Sequence, residues 1–158
     1  ESAANSAPDG VRVVTLRTGH VMSSFGGMLG KERPLFQIGL GGKIRGGDQY
    51  MSWISLHDHV SAMMRILTDD SMSGPVNLVG PNPCTNAEFT KTLAKAMHRP
   101  SVMPFPVPAA KMIFGSQLVD ETLCSGQRVK PAKLLEHGFE FRDTSITESI
   151  TSALAGRR

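Results

Sequence analysis

The stretch Val11-Arg12-Val13-Val14-Thr15-Leu16 constrains the fold more than any other in this chain. It is β-branched and mostly apolar, without the strict alternation of a half-exposed strand. A strand of that kind is covered on both faces, as in a parallel sheet. Parallel neighbours cannot be joined by a tight hairpin. They need a crossover of a dozen or more residues, usually a helix. Pro8-Asp9-Gly10 is a turn, and the Ala-rich residues Glu1 to Ala7 read as the last turns of a helix. The chain therefore opens on an α-to-β step. Val76-Asn77-Leu78-Val79 is a second strand of the same kind. If the two are sheet neighbours, one edge stays open to pairing, and the chain alone is expected to associate or to be marginally stable.

Between these strands the chain is irregular. Glycines at 19, 26, 27, 30, 39, 41, 42, 46 and 47 are more than a packed helix tolerates. The expectation is a loop, a short helix near Gly30 to Ile38, and a Gly-rich turn, with Phe25, Met28, Leu29, Leu35, Phe36 and Ile38 as apolar contacts. Tyr50 to Leu56 reads as a strand. A helix follows, with Asp58 as N-cap and Val60, Met63, Met64 and Leu67 at helical spacing. Thr85-Asn86-Ala87-Glu88 is a capping box, and Phe89, Leu93, Ala96 and Met97 form the stripe of its helix. Pro100, Pro104, Pro106 and Pro108 impose an extended segment. Further helices are expected over Ala109 to Leu123 and over Pro131 to His137, the latter stopped by Gly138. Ser145-Ile146-Thr147-Glu148 is a second capping box, with Ile146, Ile150 and Leu154 facing the core. The class is α/β with a mostly helical C-terminal part.

Composition excludes several function classes. The chain has 158 residues, 17 basic and 14 acidic, for a net charge of +3. An isoelectric point near 9.1 is the one pointer to nucleic acid, and no clustered basic face accompanies it. Apolar runs are only a few residues long, so no membrane span is expected. Cys84 and Cys124 belong to no Cys-x-x-Cys pair and read as ordinary thiols of a cytoplasmic protein. His57 and His59 are two potential metal ligands without a third nearby, so no metal site is expected. Ser23 and Ser24 have no His and Asp at a spacing that supports nucleophilic catalysis. Trp53 and the methionines, Met63, Met64, Met97 and Met112 among them, read as core filling.

Four segments, in order, carry a resemblance. The first is Val13-Val14-Thr15-Leu16-Arg17-Thr18-Gly19-His20-Val21-Met22-Ser23, with Gly26-Gly27-Met28-Leu29 after it. The second is Gly39-Leu40-Gly41-Gly42 with Gly46 and Gln49, then Ser52-Trp53-Ile54-Ser55-Leu56-His57-Asp58. The third is Gly74-Pro75-Val76-Asn77-Leu78 with Pro81, Pro83, Asn86, Glu88 and Phe89. The fourth is Gln127-Arg128-Val129, Pro131, Lys133-Leu134 and Gly138-Phe139. Together they resemble the C-terminal half of an extended short-chain dehydrogenase/reductase. More narrowly, they resemble the NAD-dependent epimerase/dehydratase-like family that ends in a DUF1731-type domain.

The resemblance implies a layout. Residues 1–80 would be the last strands and helices of a Rossmann-like, doubly wound parallel sheet, with a substrate loop inserted at about 23–50. Residues 81–158 would be a small, mostly helical substrate-side domain. Arg17, Gly19, His20 and Val21 would lie at a strand's carboxyl end beside the nicotinamide of NAD or NADP. The competing reading of Gly19 is a turn and nothing more. The basic residues Lys31, Arg33, Lys43 and Arg45 either face an anionic group or are a solvated surface. Arg45, Gln49 and Arg128 are the candidate substrate contacts, for a nucleotide-sugar-like or other anionic small molecule. Gln49 bonds either ligand or its own loop, and Arg128 either substrate or a salt bridge among the C-terminal helices.

The departures from the family pattern matter equally. No Gly-x-x-Gly-x-x-Gly follows a strand here, and Gly39-Leu40-Gly41-Gly42 is not framed by strand and helix. The family's Tyr-x-x-x-Lys pair is absent, because Tyr50 is the one tyrosine and Ile54 stands four positions on. Glu1 rather than Met opens the chain, and the expectation is that these residues begin inside a longer product, inactive alone, with no catalytic residue among them. The alternative is a non-catalytic module that binds a ligand or a protein.

Overall fold

The computed structural model describes residues 1, 4–101, 104–119 and 126–156; Cys124, Arg157 and Arg158 lie outside them. A single 3-10 turn at Ala4–Ser6 is described where the N-terminal helix was expected. The strands are β1 (Val14–Thr18), β2 (His20–Met22), β3 (Tyr50–Met51), β4 (Trp53–Ser55), β5 (Gly74–Leu78) and β6 (Cys84–Thr85). The helices are α1 (Gly27–Gln37), α2 (Leu56–Thr68), α3 (Asn86–Ala96), α4 (Val107–Phe114), α5 (Ser116–Leu118), α6 (Ala132–Glu136) and α7 (Ile146–Leu154).

The two apolar strands are parallel neighbours, with Leu16 opposite Val76 and Thr18 opposite Leu78. The first begins three residues later than expected. Its Leu16, Arg17 and Thr18 are exposed, because β1 has no strand on its other edge among the described residues. At Gly19 the strand changes partner. The Gly19 amide still donates to Leu78 (3.1 Å), whereas the next amide, of His20, donates to Ser52 (2.8 Å) and starts the parallel β2–β4 pair. β3 and β6 pair antiparallel, Tyr50 opposite Thr85. The expected strand over Tyr50 to Leu56 is thus two short strands separated by Ser52.

Two apolar clusters fill the interior. One joins Met22, Leu29, Phe36, Trp53, Phe89, Leu93 and Ile150; the other joins Ile54, Ala62, Ile66, Val76, Leu78 and Leu134. Each draws residues from both sides of position 80. Both capping boxes form, Thr85 with Glu88 and Ser145 with Glu148. Helix α6 ends at Gly138, at φ +68°, where the Phe139 amide turns back to the Leu134 carbonyl. Trp53 is buried as expected, and its indole N–H donates to Asn82.

Several expectations need correction. Helix α1 starts at Gly27, before the expected Gly30, and holds Pro34 inside it. Helix α2 is capped by Ser55, whose side chain accepts the Asp58 amide; Asp58 is inside the first turn. Of the expected stripe, Val60, Met64 and Leu67 lie on the outer face of α2 and Met63 packs against the core, while Asp58, Ala62 and Ile66 are buried. The two sets lie on opposite faces of the helix, because about 3.6 residues per turn puts Val60, Met64 and Leu67 about half a turn from Asp58, Ala62 and Ile66. Met112, Phe25 and Ile38 are likewise exposed. Gly115 breaks the expected Ala109–Leu123 helix into α4, which begins at Val107, and α5; residues 120–123 lie outside the described set. Cys84 is a buried free thiol, and burial pushes its pKa up to about 12, so it is inert.

Asp58 ties α2 to the C-terminal segment. Its carboxylate accepts the Ser55 hydroxyl (2.8 Å), the Arg142 amide (2.9 Å) and the Asp143 amide (3.0 Å), and the residue is 1% exposed. Removing it leaves two backbone donors without acceptors. Asp58→Ala is therefore expected to destabilise by about 3 kcal/mol. The urea midpoint checks this, and an unchanged midpoint would refute the role of the carboxylate as a tie.

Candidate functional site

The Gly-rich loop is held from the helix side. The α3 amides of Asn86 and Ala87 donate to the Gln49 and Gly47 carbonyls, both at 2.9 Å, and the Asn86 side chain accepts the Ile44 amide at 2.8 Å. With Thr85 also accepting the Glu88 amide, the first turn of α3 is satisfied by protein groups. Gln49 completes the loop, its side-chain amide donating to the Ile44 carbonyl at 2.9 Å. The bond to its own loop, one of its two expected roles, is made. Arg45 is exposed and sits at φ 55°, a left-handed conformation that glycine adopts more cheaply, in the turn closed by Gly47 donating to Ile44.

Arg128 lies over the ring of Tyr50, its guanidinium carbon 4.8 Å from the ring centroid. The backbone around it runs beside β3. The Gln127 amide donates to the Tyr50 carbonyl, and Gly126, at φ +62°, packs so closely that a Cβ there would sit 2.8 Å from the Tyr50 nitrogen and 2.9 Å from Gln49 Cβ. The segments carrying Gln49 and Arg128 thus lie side by side at Tyr50.

The strand-end residues are placed differently. Arg17 holds the Glu1 carboxylate through two bonds, of 2.7 and 2.9 Å, on the surface. Gly19 faces protein: a Cβ there would fall on the Ser52 carbonyl oxygen and 2.8 Å from Val79. His20 and Val21 are half-buried on β2, opposite Trp53 and Ile54, and burial lowers the His20 pKa, which favours the neutral imidazole. With the Gly19 and His20 amides engaged, this edge offers no free backbone donor at either residue. The bare α-carbon of Gly19 stands against the chain itself, at Ser52 and Val79.

Ser52 was not singled out by the sequence, and it joins the two groups. Its carbonyl accepts the His20 amide at 2.8 Å, and its hydroxyl donates to the Gln127 carbonyl at 2.6 Å and accepts the Val129 amide at 2.9 Å. Glu32 was also missed. It is 7% exposed on the inner face of α1, with no hydrogen-bond partner among the described residues, and burial pushes its pKa up to about 8. His57 lies 3.4 Å from Asp58, and His59 has a buried Nδ1 without a partner. Among the described residues no three His, Cys, Asp or Glu side chains are grouped for a metal ion, and no helix is long and apolar enough to cross a membrane.

Residues 105–153 match the family described as a domain of unknown function, DUF1731. An epimerase family protein of Mycobacterium bovis, Mb2239, is 48% identical over 141 residues, 89% of this chain and 46% of that protein. The crystal structure of human epimerase family protein SDR39U1 with NADPH superposes with a TM-score of 0.89 at 30% identity, over 98% of this chain and 52% of the human one. The chain matches the C-terminal half of the DUF1731-containing epimerase family. It spans about half the length of the curated relatives it matches. A nucleoside-diphosphate sugar epimerase from Corynebacterium glutamicum is similar at TM-score 0.71 and 33% identity, over 92% of this chain and 26% of that one. The α/β architecture of this family half is accordingly that of Rossmann-like, NAD-dependent epimerases.

Proposed function

We propose that this chain is the substrate-side half of an NAD(P)-dependent epimerase/dehydratase-like oxidoreductase, inactive without a dinucleotide-binding half, and that its substrate is a nucleotide-sugar-like or other anionic small molecule. The observation that carries the reading is the joining, through Ser52, of the strand bend at Gly19-His20 to the Gln49–Tyr50–Arg128 group. The coenzyme supplies hydride chemistry to the longer fold; the residues described here do other work. Arg128, over the Tyr50 ring, presents N–H donors suited to a phosphate or carboxylate. Arg45 adds a second cation on the pinned loop. Gln49 keeps that loop closed. His20, uncharged through burial, adds no positive charge at the strand end.

The reading is supported by the NADPH-bound human relative and by the sugar-nucleotide epimerase likeness. It is tested by a chimera with the preceding half of the Mycobacterium bovis relative placed before this chain. The chimera is expected to bind NADPH saturably, and the chain alone to give no saturable NADPH fluorescence change. Micromolar binding by the chain alone would overturn the assignment of the coenzyme site to the other half.

A further inference from the structure

We propose that Ser52 is a positioning residue: it fixes Arg128 over Tyr50 and ties that arginine to the strand bend at Gly19-His20. The inference rests on the reading of Arg128 as a contact to an anionic substrate. A hydroxyl is both donor and acceptor. Ser52 Oγ uses both functions on the two peptide groups that flank Arg128, donating to the Gln127 carbonyl and accepting the Val129 amide. Both neighbours of Arg128 are thereby held, and the arginine side chain is free to lie across Tyr50, two residues before Ser52 on the same side of the extended chain. The Gln127 amide also donates to the Tyr50 carbonyl, but the peptide groups on either side of Arg128 are held by Ser52, in the gap where β3 ends at Met51 and β4 begins at Trp53. The main chain of Ser52 is fixed in turn. Its carbonyl accepts the His20 amide and stands against the α-carbon of Gly19, where only glycine leaves room. Ser52 is 8% exposed, so water does not readily replace its hydroxyl. A displacement at the strand bend is transmitted through one residue to the guanidinium.

Tyr50 is the one tyrosine of the chain, so 3-fluorotyrosine labelling gives a single fluorine resonance that reports the cation above its ring. Arg128→Ala is expected to shift it. Ser52→Ala is expected to shift it in the same direction, and Ser52→Thr, which keeps the hydroxyl, to leave it near the wild-type position. Ser52→Cys, a nearly isosteric and weaker donor, gives the same readout if the alanine variant does not fold. UDP, titrated as the probe, is expected to bind Ser52→Ala and Arg128→Ala about tenfold more weakly than the wild-type chain. A folded Ser52→Ala with the wild-type resonance overturns the positioning role. Shifted resonances with no UDP binding by the wild-type chain support the positioning role and overturn the anionic-substrate reading of Arg128.

Discussion

Gly19→Ala is expected to cost about 3 kcal/mol or more and to leave little cooperative unfolding to measure. The added methyl group has nowhere to go. It would fall on the Ser52 carbonyl oxygen and within 2.8 Å of Val79 Cγ1. One obstacle is backbone, and moving it breaks the His20–Ser52 bond that starts the β2–β4 pair. It also moves the residue whose hydroxyl holds the Gln127–Val129 segment. Gly26→Ala is the matched control: Gly26 is extended, at φ −179°, with open space at its α-carbon. Its cost is expected to stay below about 1 kcal/mol. Circular dichroism melts of the two variants decide the matter, and equal melting temperatures would refute a close-approach role for Gly19.

Glu32→Gln is expected to stabilise the chain, increasingly with pH. The folded-state pKa of Glu32 is raised by burial to about 8 from an ordinary 4.5. A raised pKa means that the native state binds the proton more tightly than the unfolded one. Its contribution is fully present below pH 4.5 and is lost as pH rises through about 8. At pH 7 the wild type has lost at most about 3 kcal/mol by this route. Glutamine keeps the shape of the protonated acid and cannot ionise. Urea midpoints at pH 5 and pH 8 should therefore diverge, the variant gaining on the wild type at the higher value. A constant gap between the two would show that Glu32 does not titrate in this range.

How much of this was legible beforehand depended on the distance over which each interaction acts. The capping boxes at Thr85 and Ser145 are closed within four residues, so their spacing gives them away. The two parallel strands are readable from their β-branched, mostly apolar runs, although β1 is exposed from Leu16 to Thr18 and β5 buries only Val76 and Leu78. Helix α2 shows the limit: periodicity identified a helix, yet Val60, Met64 and Leu67 face outward. Two apolar stripes compete there, and only the partner surface chooses between them. Ser52 was invisible because its partners are 75 and 77 positions away. Glu32 was read past because an acid among glycines and a lysine looks like surface. At the candidate site, the resemblance named Gln49 and Arg128 in separate segments, and only the fold brings both beside Tyr50; Arg17 pairs with Glu1, and the α-carbon of Gly19 stands against Ser52.

The partner change at Gly19 has a dynamic consequence. β1 and β5 pack with the cluster of Val76 and Leu78, whereas the β2–β4 pair straddles the two clusters, Ile54 in that one and Met22 and Trp53 in the cluster of Phe89 and Ile150. Ladder bonds on the two sides of Gly19 therefore need not break together. Subglobal openings can release one set of amides to solvent deuterium while the other stays closed. The boundary between slow and slower exchange should fall between the Gly19 amide, which bonds Leu78, and the His20 amide, which bonds Ser52.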